Sequence, residues 1–395
     1  MKAPEISVPP SLRWLAALAA GQYLCGGVFL VFFSNTFDFR VIHQAAAQVA
    51  HGEASRIYDA FFAFGPGASS LFYMYPPTVA GLLSPLGFLE YQTASKIFTF
   101  LSHIALWSSL ALWTSRRGLS AEGRWRAFIV LFLFFPVAYS LQLGQTEPLI
   151  LLCLAGAVRL LDREQESASA LLLCLAVFLK LFLGVLLLYF LARRRWRYLA
   201  FCLLWLGTLF ALGLLVLPWP AQAAYWTRLA APLGIESFYD NQSLCGFLHR
   251  LLSVSRYGAG FVDAPELARG LQWVLSASLL GSFFALCAGS RLSARRGMAL
   301  GLITALLAAP HSDTHHHALL VFSFWTLLEE FPEDWGLLVC YGFFAVFTPL
   351  VGFKFLSPDR LALISRGAFV WILSLPFFVL GALWLRCAQR YFSMW

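Results

Sequence analysis

The feature that constrains this chain most is the length of its uninterrupted apolar runs. Ten can be walked off, over roughly 12–34, 92–114, 126–142, 147–161, 197–217, 268–289, 297–309, 316–329, 335–351 and 367–386. A helix needs about 20 apolar residues to cross a bilayer. Lipid offers no partner to a backbone N–H or C=O, so only helices and closed barrels cross it. A porin-type barrel alternates apolar and polar residues along each strand, whereas these runs are continuous. Hydrophobic residues make up 60% of the chain and charged residues 12%, against about 25% charged in an ordinary soluble domain. Mean hydropathy is +0.73. The chain reads as an all-α polytopic membrane protein. A soluble enzyme, a coiled coil and a disordered tail are excluded.

Lys and Arg number 28 against 20 Asp and Glu, a net charge of +8. In a membrane protein this excess marks topology and not nucleic acid, because Lys and Arg gather in cytoplasmic loops. Eleven arginines cluster at 116–126, 193–197 and 291–296. All three clusters reach the cytoplasm if an eleventh apolar stretch, 168–192, broken by Lys180, goes in and returns as a hairpin of two short helices. About twelve helical elements then result, and the loops 35–91, 143–147, 218–266, 310–315 and 352–366 face outward. The first apolar run continues to Phe33, past any plausible cleavage site, and reads as an uncleaved first helix. Residues 1–395 read as a single domain without internal repeats. The eight cysteines show no disulfide or metal spacing; seven lie in apolar runs and Cys245 in a polar loop.

Two outward loops, 35–91 and 218–266, are much longer than a connection needs. In the first, Asp38 opens a helical pattern with Val41, Ile42, Ala45, Ala46, Val49 and Ala50 on one face, and Gly52 closes it. This helix is expected to lie along the membrane surface. Asp38 is either its N-cap or a general base at that surface. Tyr75-Pro76-Pro77 then opens an apolar run, 76–90, too short to span. Lys180 has no nearby exit from its run; such a group is a functional residue or snorkels to the interface. The stretch His311-Ser-Asp313-Thr-His315-His316-His317 is the densest polar cluster. As a metal site, His311, Asp313 and His315 could share a side; as a site for a phosphate or sugar no metal is needed; the plain alternative is a helix cap. The phosphate or sugar role fits better. Gly144-Gln145-Thr146-Glu147-Pro148 reads as a tight turn with Pro148 in the first helical turn. Asn241-Gln242-Ser243 matches a glycosylation sequon, a weak pattern on its own.

Taken in order, Asp38-Phe39, Tyr75-Pro76-Pro77, Gly144-Gln145, Lys180, Asn241-Gln242-Ser243 and Pro310 with Ser312 and His315-His316 resemble glycosyltransferase family 87. The resemblance runs through roughly 35–320. It implies a GT-C-type bundle of about 10–12 transmembrane helices with short interfacial helices in its outward loops. It implies a polyprenol-phosphate-mannose-dependent mannosyltransferase in which Asp38 is the catalytic base. The donor would be a polyprenyl-phosphate-linked sugar and the acceptor a lipid-linked glycan or other glycan, with membrane lipids as the remaining partners and no nucleic acid.

Such a reaction needs a base for the acceptor hydroxyl, cationic or hydrogen-bonding groups for the departing phosphate, and an apolar groove for the lipid. Asp38 suits the first. Lys180, His315, His316 and, in the second loop, Arg250 and Arg256 suit the second. Tyr75, Gln145, Glu147, Asn241, Gln242, Ser243 and Asp313 are further candidates. The leaving group already carries its phosphate on lipid, so no metal or cofactor is expected. The expected setting is the cell inner (cytoplasmic) membrane, with the site on the extracytoplasmic face. Competing readings are a secondary transporter, built on Lys180 and its hairpin, and a membrane O-acyltransferase using the His311–His317 cluster as base.

Overall fold

The structure, a computed structural model, describes residues 9–29, 36–59, 61–63, 70–116, 118–230, 236–255, 258–290, 292–347 and 369–392. Its helices begin with α1 (Pro10–Gln22), continued by a π-helical turn, Tyr23–Phe29. The next two are α2 (Phe39–Ala50) and α3 (Pro77–Gly87), followed by α4 (Tyr91–Thr114), α5 (Ala121–Phe132) and α6 (Phe135–Leu143). Then come α7 (Glu147–Leu161), α8 (Glu166–Leu179), α9 (Leu187–Ala192), α10 (Trp196–Val216) and α11 (Trp219–Ala230). The second half holds α12 (Leu244–Leu252), α13 (Pro265–Gly289), α14 (Ala294–Ala308), α15 (Leu320–Glu330), α16 (Trp335–Gly342), α17 (Phe369–Leu373) and α18 (Leu375–Phe392). Two antiparallel hairpins, Phe61–Ala63 with Ser70–Phe72 and Val254–Ser255 with Gly258–Ala259, complete the described elements.

The protein is all-α and polytopic, yet its apolar runs do not become ten straight spans. Among the described residues α4, α10 and α13 are each long and apolar enough to cross a membrane, and α5 with α6, bent by 47°, are so only when the two are taken together. Of the other runs, α7 and α14 are unbroken but only 15 residues long, and others are interrupted. Lys180 adopts an extended conformation between α8 and a 3-10 turn, Leu181–Leu186, that leads into α9. A second π-helical turn, Phe343–Phe347, follows α16. The break at Lys180 falls where the charge in the 168–192 run places it; the one after α16 shortens a helix without changing its composition, and hydropathy alone does not locate it. The centre of the bundle is α14 and α15, buried on nearly every face; only one or two faces of α10 and α13 are covered, and leucines such as Leu203 and Leu215 remain exposed, as lipid-facing residues should.

A second, smaller core caps one end. It joins Phe39, Ile42 and Ala45 of α2 to Val79 and Ala80 of α3 and to Tyr58, Tyr73, Tyr75 and Tyr225. The helix expected from Asp38 is present, and it buries Phe39, Val41, Ile42, Ala45 and Ala46. It is covered by protein through α3: a Cβ on Gly87 would lie 2.5 Å from the backbone of Ala46. Cys245, expected in a polar loop, is 2% exposed within α12.

The bundle has two chemically distinct ends. At one, Arg116 and Arg295 both meet Glu329 (2.9 and 2.8 Å), and Arg296 meets Glu330 at 2.8 Å. Arg193 donates to the Ser290 carbonyl (2.7 Å), and Arg195 pairs with Glu166 (2.8 Å), so the start of α8 and the end of α9 sit together. The opposite ends of α7, α8 and α14 carry Glu147, Lys180 and the 310–316 loop.

Candidate active site

The site is assembled around the break between α6 and α7. Gly144 closes α6 in the left-handed region, φ +71°, a conformation that glycine adopts at least cost. It also has no room for a side chain, since a Cβ would lie 2.7 Å from Phe39 Cβ and 2.9 Å from Thr36 Cβ. The approach lets the Asp38 N–H donate to the Leu143 carbonyl at 3.1 Å. The first turn of α2 is thereby fixed to the last turn of α6, and Gln145, one residue on, faces Asp38.

The Asp38 carboxylate does not cap α2. Its Oδ2 accepts from Gln145 Nε2 at 2.6 Å. The other end of the same amide, Oε1, accepts from the Tyr75 hydroxyl and from Lys180 Nζ at 3.4 Å. These partners leave one orientation for the amide, because a carboxylate can only accept and an ammonium can only donate. Lys180 Nζ also lies 4.9 Å over the Tyr75 ring, 3.3 Å from Glu147 Oε1 and 2.9 Å from His316 Nε2. Lys180 does not snorkel: it ends in a cage of polar groups with 12% of its side chain exposed. Glu147 is fully buried at the first position of α7, where the helix dipole favours a carboxylate. Its Oε2 accepts from Ser140 Oγ (3.1 Å).

The histidine stretch takes one of its expected roles, the helix cap. Asp313 caps the 3-10 turn Thr314–Leu319, and His316 closes a capping box by accepting the Asp313 N–H at Nδ1 (3.0 Å). The imidazole rings of His315 and His316 meet edge-on, centroids 4.2 Å apart. His311 Nε2 lies 2.8 Å from Asp313 Oδ1. Burial lowers the His311 pKa, but the charge and hydrogen bond of Asp313, with Asp240 behind it, raise it by more, so the imidazole sits above the usual histidine range.

Among the described residues the group placed tightly enough for a metal is Glu147, His315 and His316, not the His311, Asp313 and His315 set suggested by spacing. Its chemistry argues against a metal. A metal-bound histidine donates its second ring N–H to an acceptor, whereas the second nitrogen of His316 accepts. The Lys180 ammonium already stands beside Glu147 and His316.

The second long loop supports this cluster from behind. Asn241, Gln242 and Ser243 are fully buried, so the sequon is not available at the surface. Asn241 accepts from the Ser312 N–H (2.9 Å) and donates to the Pro310 carbonyl (3.1 Å). Gln242 N–H donates to the Ser312 carbonyl (2.7 Å), and Ser243 caps α12. Arg250, expected to hold phosphate, is 4% exposed and engaged elsewhere. Its guanidinium donates to the Phe238 and Asn241 carbonyls (2.8 and 2.7 Å) and to Ser374 Oγ (3.0 Å). Arg256 lies outside the described residues. Two contributors carry no mark in the sequence. Ser140 reaches Glu147 across the helix break, and Asp240 accepts from Thr314 Oγ1; only the adjacency of Asp240 to Asn241 hints at its place.

Comparison with known proteins identifies the family. A mannosyltransferase of Mycobacterium tuberculosis, the polyprenol-phosphate-mannose-dependent alpha-(1-2)-phosphatidylinositol mannoside mannosyltransferase, is 29% identical over 204 residues. The match covers 47% of this chain and 47% of that relative, so the chain spans about half the relative's length. The profile of glycosyltransferase family 87 matches residues 73–310. That interval takes in Tyr75, Gln145, Glu147 and Lys180; Asp38 and the histidines flank it. With more than half of its 395 residues matched, and with those residues forming the buried centre of the site, the chain belongs to glycosyltransferase family 87.

Proposed function

We propose that this membrane glycosyltransferase moves one sugar, mannose, from a polyprenyl-phosphate donor to a lipid-linked or glycan acceptor, with inversion, at the extracytoplasmic face of the inner membrane. The observation that carries the reading is the Gln145 amide. It joins a half-buried carboxylate, suited to take a proton, to a caged ammonium, suited to hold an anion. An inverting displacement needs a base and an anion-holding group on opposite sides of one anomeric carbon. The acceptor oxygen attacks that carbon, and its proton passes to Asp38. The carbon–oxygen bond to phosphate breaks, and its electron pair leaves on the phosphate oxygen, facing Lys180. The mannosyl donor is supported by the mycobacterial relative's name. Family membership sets aside the transporter and O-acyltransferase readings.

The test is Asp38→Asn. Asparagine keeps the shape and can still accept from Gln145, and the side chain it replaces is not a cap. Sugar transfer from polyprenyl-phosphate mannose is expected to fall about 100-fold to 10,000-fold, at an unchanged melting temperature. A normally active Asp38→Asn protein would move the base to another residue.

A further inference from the structure

His316 stands between two hydrogen donors. The Asp313 backbone N–H donates to Nδ1 at 3.0 Å, and Lys180 Nζ lies 2.9 Å from Nε2. A neutral imidazole has a single acceptor nitrogen. The backbone amide cannot release its hydrogen, so Nδ1 is the acceptor and Nε2 bears the hydrogen. Facing Nε2 is an ammonium with no lone pair to offer, kept charged by the Glu147 carboxylate 3.3 Å away. Glu147 Oε1 is 3.9 Å from Nε2, too far to accept from it. The facing donors of Lys180 and His316 are therefore short of one acceptor oxygen.

We infer that the missing acceptor is a phosphate oxygen of the lipid-linked donor, and that His316 is a catalytic residue acting as a neutral Nε2–H donor with its tautomer set by Asp313. This rests on the donor class proposed above. The oxygen sits beside the Nζ–Nε2 pair, 2.9 Å apart, at the apex of a triangle with the two nitrogens, and accepts from both. During transfer the electron pair of the broken carbon–oxygen bond settles on phosphate, Lys180 and His316 keep their hydrogens, and the acceptor's proton goes to Asp38. In this tautomer His316 is neither the base nor a metal ligand, because Nε2 has no free lone pair.

The inference is tested on the full chain in detergent, labelled with ring-15N histidine and with His316 identified by its loss in His316→Gln. Unliganded protein should show His316 with a bare Nδ1 and a protonated Nε2, and polyprenyl phosphate should shift the Nε2 signal where equimolar inorganic phosphate does not. Two variants separate the donor role from the capping role. His316→Gln keeps a hydrogen at the Nε2 end and gives up the cap; it should retain kcat within about tenfold. His316→Asn keeps an acceptor for the Asp313 N–H and withdraws the hydrogen; its kcat should fall about 100-fold. A purely structural histidine would reverse that order, which would overturn the inference. A hydrogen on Nδ1 would also overturn it while leaving the donor class intact. A locked tautomer blind to polyprenyl phosphate, in protein that still transfers sugar from polyprenyl-phosphate mannose, would overturn the inference alone, whereas absence of that transfer would overturn the donor class.

Discussion

Lys180 and Glu147 form a buried pair in which each charge depends on the other, 3.3 Å apart, with Glu147 fully enclosed. Breaking such a pair from one side leaves an uncompensated charge and costs about 3–5 kcal/mol. Lys180→Met is therefore expected to lower both the melting temperature and turnover, the latter about 100-fold. The double variant Lys180→Met/Glu147→Gln should recover the melting temperature and not the turnover. If the double variant transferred sugar normally, Lys180 would have no part in holding the phosphate. At this scale the sequence is informative about oddity and silent about partnership. An amine inside an apolar run, an aspartate after the first helix and a histidine cluster each stand out alone. That Gln145 joins Asp38, 107 residues away, to Lys180 depends on the packing of α2, α6 and the 168–192 stretch. Arg250 stands out equally as a cation in an outward loop, yet its hydrogen bonds go to loop carbonyls and Ser374, which no spacing rule reveals.

The element that sets the site's geometry is the α6–α7 break, and Gly144 is where it can be tested. Gly144→Ala places a β-carbon at φ +71° and within 2.7 Å of Phe39 Cβ. A non-glycine residue in the left-handed region costs about 1–3 kcal/mol. The contact also forces α2 away from α6, and with it Asp38 from Gln145. A misplacement of about 1 Å can cost 100-fold in rate, so transfer is expected to fall by about that factor. Gly52→Ala is the control: φ is +80° and nothing lies within 4 Å of the added carbon. It should lose stability and keep its activity. Equal loss of transfer in both variants would mean that strain and not displacement is responsible. The sequence marks both glycines as punctuation, and α2 lies where its periodicity places it. The break at Lys180 is legible from the charge inside its apolar run; the one after Gly342 is hidden, because hydropathy reports composition and not the continuity of a helix.

For the whole molecule, the separation of charge between the two ends carries the topology. Helix α7 runs from Glu147 at the site to Leu161 near the arginine end, a rise of about 22 Å over 15 residues. Helix α13 covers the full distance, 25 residues or about 37 Å, from the loop after Ala259 to Ser290, which meets Arg193. Arginines gather at one end and the caged Lys180 lies at the other, and the positive-inside rule predicts the arginine end at the cytoplasm. Labelling measures this directly. Glu266 is exposed at the start of α13 and Arg194 follows the residue that contacts its end. Of the native cysteines only Cys25 is exposed, so Glu266→Cys and Arg194→Cys can be read in a Cys25→Ser background. A membrane-impermeant maleimide added to intact cells should reach Glu266→Cys and leave Arg194→Cys unmodified until the membrane is opened. Modification of both positions from outside would place the two ends of α13 in one compartment. The reverse pattern, Arg194→Cys modified from outside and Glu266→Cys protected, would put the site at the inner leaflet, and the direction of sugar transfer proposed here would have to be reversed.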